Sequence, residues 1–196
     1  MGKKQPEQTR KSILEAAGAE FALNGYCATG IGAIVLRSGL TKGALFHHFP
    51  DKRTLAAAWI AETLADGIEE LWLTPLGVAA SLDDLQAICR IRCSEGSAGD
   101  PTAALLATAA EVGVRDEILA GALEAVFGRW RAAVTTLFER GRSGSWIHPS
   151  IQPEVEAALL VSAFGGFSIS LRLSPTPETR QRFSSAIAAY LETLRV

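Results

Sequence analysis

Apolar residues recur at helical spacing along almost the whole chain, and no segment alternates apolar with polar residues as a half-buried strand must. A chain patterned this way buries its apolar stripes by packing helix on helix, so the expected fold is all-α, with about nine helices. The punctuation between stripes supports this. Asn24-Gly25 offers a left-handed exit from a first helix, about Glu7 to Leu23, on which Ile13, Leu14, Ala17, Phe21 and Ala22 share a face. A second, short helix fits between Gly30 and Arg37, with Gly39 at the position where a helix-ending glycine is expected. Thr41 offers its hydroxyl as the cap of a third, in which Leu45 and Phe49 lie four apart before Pro50 ends it. Asp51 caps a fourth, predicted to stop near Leu73 ahead of Thr74-Pro75.

The same reasoning carries through the rest of the chain. A helix starts at Ser81-Leu82-Asp83-Asp84, a glycine- and serine-containing break runs from Glu95 to Pro101, and a short helix is expected to end near Val112. Between about Asp116 and Arg140, one stripe gathers Leu119, Leu123, Val126, Phe127, Trp130, Val134, Leu137 and Phe138. Gly141 to Pro149 reads as a loop, followed by two last helices from Pro153 to Leu173 and from Glu178 to Leu194.

With 48% apolar and 20% charged residues in a chain of 196, disorder is excluded and there is enough length for a substantial core. The net charge of −2 conceals an asymmetry. Up to Leu55 eight cations face four acids, a net +4, whereas the remainder carries eleven cations against seventeen acids, a net −6. A basic end and an acidic body suggest a polyanion partner for the first segment only. Three cysteines make no even disulfide framework, and no basic start with a continuous apolar stretch opens the chain, so a cytoplasmic setting with reduced thiols is expected. The run Ala157 to Leu171 is uncharged, but it is shorter than the roughly 18 residues that span a bilayer and contains Gly165 and Gly166.

Two short helices joined by Ser38-Gly39-Leu40-Thr41 have the spacing of a helix-turn-helix, in which the first helix braces the second against DNA. In the second helix only Leu45 and Phe49 are committed to a core, leaving an aromatic side chain and two histidines facing outward. Thr9-Arg10, Ile13-Leu14, Ala16-Ala17, Phe21, Asn24-Gly25-Tyr26, Ile34, the continuous run from Ser38 to Phe49, and Lys52 together resemble the TetR family of transcriptional regulators. The resemblance covers about Thr9 to Leu55. It implies a DNA-binding domain over residues 1–55 with three helices, and an effector-binding and dimerisation domain over 56–196.

The resemblance places the Thr41 to Phe49 helix in the major groove, with Thr29, Gly30, Thr41, Lys42, Gly43, Ala44, Phe46, His47, His48 and Lys52 against DNA. The chemistry of these residues suits the task. Thr41 at a helix N-terminus favours a phosphate oxygen, and Lys42 reaches a phosphate or the acceptors of guanine. Gly43 and Ala44 let the backbone approach base edges, and the Ala44 methyl suits a thymine methyl. Lys52 is expected to hold a phosphate rather than read a base. His47 and His48 are donors to phosphates or bases, and not a metal pair, because adjacent residues on a helix do not face one another. Two positions depart from the family, which usually has tyrosine in place of Phe46 and a second threonine in place of Gly30. Each departure removes a hydroxyl, about 1 kcal/mol of hydrogen bonding to the DNA backbone.

For the larger segment the resemblance implies a small-molecule effector, with no cofactor and no metal, and a homodimer that meets a near-palindromic operator. Candidate effector contacts are Trp72, Cys89, Arg92, Cys93, Leu105, Leu106, Phe127 and Trp130, each of which also reads as ordinary core or surface. Cys89 and Cys93, four apart on one helix, invite a redox or electrophile-sensing reading beside the simpler one of buried small apolar residues. In the helix from Pro153 to Leu173, Leu160, Phe164, Phe167 and Leu171 form one apolar face, assigned to dimerisation, and Val155, Leu159, Gly166 and Leu173 another. Two other functions stand beside the regulator. An all-α enzyme would require Glu111, His148 or the cysteines to converge, which no spacing supports, so no catalytic residue is assigned. A helical interaction module without DNA binding is the other.

Overall fold

The computed structural model describes residues 6–95, 108, 111, 112 and 116–196. Among these residues the secondary structure is helical and contains no strand, as the periodicity requires. Eight helices follow one another: α1 (Pro6–Asn24), α2 (Ile31–Ser38), α3 (Lys42–His48), α4 (residues 52–78), α5 (Leu82–Glu95), α6 (Glu117–Ser143), α7 (Pro153–Leu173) and α8 (Pro177–Glu192). Residues 108, 111 and 112 are helical too. The expected break after Glu95, and most of the short helix expected to end near Val112, lie outside the described residues.

The fourth helix does not stop at Leu73. It continues to Val78, about 40 Å at about 1.5 Å per residue. Two π turns, Ile60–Leu64 and Glu69–Leu73, interrupt its α-helical geometry, and the second ends immediately before the segment Thr74–Val78 that contains Pro75. A proline inside a regular helix removes a hydrogen bond and its ring collides with the preceding turn. Here Pro75 stands in the first turn after a widened one, where neither penalty applies in full. The carbonyls of Leu76 and Gly77 at the end of α4 accept from the Arg140 guanidinium at 2.8 and 2.9 Å.

The chain divides into two compact units: residues 1–67 with 104–126, and 68–103 with 127–196. In the first unit, α1, α2, α3 and the first half of α4 close over Ile13, Leu14, Phe21, Ile34, Leu45, Phe49, Leu55 and Trp59, all buried. Each such side chain contributes about 1.5–3 kcal/mol when fully buried. Phe21 meets Trp59 edge-on at 5.3 Å between centroids. Charged groups tie the helices together around this core. Arg10 of α1 pairs with Glu62 of α4 while its guanidinium lies 5.1 Å from the centre of the Phe49 ring. Glu20 of α1, almost buried, accepts from Arg37 of α2 at 2.5 Å and from the Asn24 amide at 2.9 Å.

In the second unit α8 packs against α5, and their ends are joined by Arg195, which meets Asp83 at 2.6 Å and Glu192 at 2.8 Å. The core is lined by Trp72, Leu85, Cys89, Trp130, Val134, Leu137, Phe138, Leu160, Phe164 and Ile187. By length and composition α7 is long and apolar enough to cross a membrane, with a mean hydropathy of 1.4 over Pro153–Leu171. Two apolar faces produce that value. One packs into the core of this unit, and the other is exposed.

Candidate DNA-binding surface and effector core

The turn between α2 and α3 is built by two residues. Gly39 adopts φ +66°, a conformation costly for a side-chain-bearing residue, and its N–H donates to the Leu36 carbonyl, closing α2. Thr41 then caps α3, its hydroxyl accepting from the Ala44 N–H at 3.1 Å. Leu45 and Phe49 point into the core of the first unit, as their spacing predicts. The opposite side of α3 is left to solvent: Thr41, Lys42, Gly43, Phe46 and His47 are exposed, and Ala44 and His48 are half-buried. Lys42 lies over the Phe46 ring at 5.7 Å, one helical turn away. A one-turn cation–aromatic pair, His47 and a small-residue tip therefore share one exposed face, with the half-buried His48 at its edge.

Two residues expected at the DNA have other tasks. The Thr29 side chain is buried, and its hydroxyl donates inward, to the Gly25 carbonyl at 2.7 Å and the Glu20 carbonyl at 3.1 Å. It therefore holds the α1–α2 loop rather than offering itself to a phosphate. Lys52, expected at a phosphate, directs its ammonium to the carbonyls of Tyr26 and Thr29 at 3.0 Å each and of Cys27 at 3.4 Å, above the Tyr26 ring at 4.5 Å. An ammonium has three donors, and here all three face the same loop. Gly30, by contrast, is exposed and caps α2 with no side-chain bond.

The loop is also held by a residue that spacing could not reveal in this role. The Glu111 carboxylate accepts from the Cys27 N–H at 2.8 Å and sits against Gly25, whose φ of +79° and lack of a Cβ permit the approach. The partners are 84 positions apart in sequence, beyond the reach of any local pattern. Glu20 and Arg37 escaped sequence reasoning for the same reason.

In the second unit, five rings from four helices converge. Trp72 of α4 lies 4.6 Å from Trp130 of α6 and 4.5 Å from Phe164 of α7, centroid to centroid. Phe183 of α8 stacks on Phe167 of α7 at 4.1 Å and meets Phe164 edge-on at 5.2 Å. Trp72 and Trp130 are thus together in the core, whereas Phe127 and Arg92 are half-buried, and Leu105 and Leu106 lie outside the described residues. Cys89 and Cys93 are both buried. Burial pushes the Cys89 thiol well above its ordinary value and the Cys93 thiol up to about 11, the reverse of what a reactive thiolate needs.

The two faces of α7 are exchanged relative to expectation. Leu160, Phe164 and Phe167, assigned to dimerisation, are buried within their own unit, and Leu171 is half-buried. The aromatic cluster has claimed that face. The exposed apolar side chains of α7 are instead Val155, Leu159, Ile169 and Leu173, and the exposed Ser162 and Gly166 complete the row. Their steps of four, three, four, three and four residues repeat the seam of a two-helix coiled coil, and small residues at its centre allow close approach.

Described residues that are helical and strand-free, with a capped helix-turn-helix and an outward-facing second helix, define a DNA-binding protein of the helix-turn-helix class. Comparison with known proteins gives the family. Residues 13–59 match the profile of the bacterial regulatory proteins of the tetR family, and residues 81–196 that of the C-terminal region of BetI-type transcriptional repressors. The chain is 30% identical over 171 residues to the HTH-type transcriptional regulator LmrA of Bacillus subtilis, covering 83% of this chain and 86% of that one. It is 28% identical over 162 residues to the A-factor receptor protein of Streptomyces griseus, covering 83% of this chain but 54% of the receptor. The fold matches that of a TetR-family regulator from Cytophaga hutchinsonii with a TM-score of 0.88 at 15% identity, across 100% of this chain and 99% of that one. The chain belongs to the tetR family of bacterial transcriptional regulators.

Proposed function

We propose that this protein is a cytoplasmic repressor that binds a near-palindromic operator as a homodimer and leaves it when a small molecule occupies the second unit. The observation that carries the reading is the division of α3: Leu45 and Phe49 are buried while Thr41, Lys42, Gly43, Phe46 and His47 face outward. In this reading, residues 1–55 are the reading head and residues 56–196 the effector-binding and dimerising body. Thr41 offers a phosphate oxygen the N-terminus of α3, Lys42 and His47 reach phosphates or base edges, and Gly43 and Ala44 admit the backbone to the groove.

Pairing is assigned to the exposed seam of α7, from Val155 to Leu173, against the same seam of a second copy. In this reading the two-fold symmetry of the homodimer matches two half-sites on successive major grooves, about 34 Å apart. A ligand that binds better to a differently spaced dimer releases the operator by shifting the population. Selection of bound sequences from random DNA, followed by affinity measurement on the recovered site, tests the reading. Changing Lys42 and His47 together to alanine is expected to abolish specific binding while leaving the helical content intact. Unchanged specific binding by that variant would overturn the assignment of α3.

A further inference from the structure

Trp130 lies in the five-ring cluster with only 1% of its surface exposed, and its indole Nε1–H is buried with no hydrogen-bond partner among the described residues. A buried donor left unpaired carries its full desolvation cost, and native cores hold few of them. Phenylalanine in the same place would bring a ring without that cost. The rings of the cluster are one-sided in their chemistry. Indole donates and does not accept, and phenylalanine does neither, so the rings of Trp72, Trp130, Phe164, Phe167 and Phe183 present no acceptor and no charge. Against these five rings an anionic ligand group would be buried without a counter-charge.

We propose that Trp130 is the polar recognition point of the effector, and that the effector is an uncharged, largely apolar molecule whose carbonyl or ether oxygen accepts from Nε1–H while its body lies against the rings. The inference rests on the reading of the second unit as effector-binding. It assigns the class of molecule, and it makes Trp130 the residue that selects an oxygen.

The test uses the full-length protein and two probes of nearly the same shape, acetophenone and α-methylstyrene, which differ by a carbonyl oxygen in place of a methylene. With tryptophan indole nitrogens labelled by 15N, four N–H signals are expected, and the one missing from Trp130→Phe belongs to Trp130. The ketone is expected to shift that signal and to bind about tenfold more tightly than the hydrocarbon. Trp130→Phe is expected to bind both probes about equally. A ketone preference that persists in Trp130→Phe, a Trp130 signal indifferent to the ketone, or no binding of either probe at millimolar concentration overturns the proposal. If the variant fails to fold, the labelled wild-type protein still decides between the outcomes: one of its four indole signals must move with the ketone and stay with the hydrocarbon, and four unmoved signals overturn the proposal. Operator release is scored separately: ketone binding at Trp130 without release keeps this site and refutes the effector reading.

Discussion

Gly30 and Phe46 each lack a hydroxyl that the family usually carries, and the surroundings of Gly30 show how one can be returned. Gly30 has extended backbone, φ −93° and ψ 153°, and nothing within 4 Å of where a Cβ would stand. Gly30→Ser therefore fits without strain, supplies the missing cap of α2, and sets an oxygen where the DNA backbone is expected. Operator affinity should rise roughly fivefold, about 1 kcal/mol, in a binding titration at fixed salt. No change would place the start of α2 away from the DNA. Lys52 gives a sharper test of its task. If it clamps the loop at Tyr26 to Thr29, Lys52→Met lowers stability by about 1–2 kcal/mol in urea and leaves the salt dependence of operator binding unchanged. If it met a phosphate, the slope of log affinity against log salt would flatten by about 0.9, as is expected for Lys42→Met. At this scale the sequence identified which residues of α3 are left on its exposed side. It could not show that Thr29 and Lys52 turn toward carbonyls brought in by the fold of the loop, because that geometry is not written in spacing.

The short N-terminal elements were legible because their signals are local: a cap at Thr41, a left-handed glycine at Gly39, and apolar residues one turn apart. The bounds of α7, Pro153–Leu173, were legible for the same reason. Its orientation was not. Both faces are apolar, and the choice between them depends on Trp72, Trp130 and Phe183, which arrive from other helices. The reach of α4 past Pro75 was likewise hidden, since a π turn leaves no reliable mark in sequence. The exchanged faces of α7 make a direct prediction. Leu159 is 51% exposed, so Leu159→Arg costs the isolated protomer little, but it sets a charge in the proposed seam. Sedimentation should show a folded monomer with operator affinity lowered at least tenfold, whereas an unchanged dimer would move the interface elsewhere.

At the scale of the whole molecule, stability is tied to ionised carboxylates. Arg10 holds Glu62 below the usual carboxylate range, the Thr54 N–H does so for Asp51, and Arg195 with Gln86 pulls Glu192 down to about 2. A carboxylate whose folded value is lowered contributes its stabilisation fully above the unfolded value, about 4, and loses it as pH falls through the folded value. The melting temperature should therefore change little through these groups between pH 7 and 5, and fall progressively from about pH 4 toward 2. A rise in stability over that lower range would contradict the assigned pairings.

The charge asymmetry along the chain now has a structural counterpart, because the helix-turn-helix lies within the basic segment. The most direct test of the central reading is the affinity-selected DNA site itself, mapped by footprinting with the wild-type protein. Two inverted half-sites whose centres lie about one helical turn, roughly 34 Å, apart or a multiple of it, each protected in the major groove, are expected, with protection lost in the Lys42 and His47 double variant. A single unpaired site, or the same footprint from the double variant, would contradict a dimer reading DNA through α3.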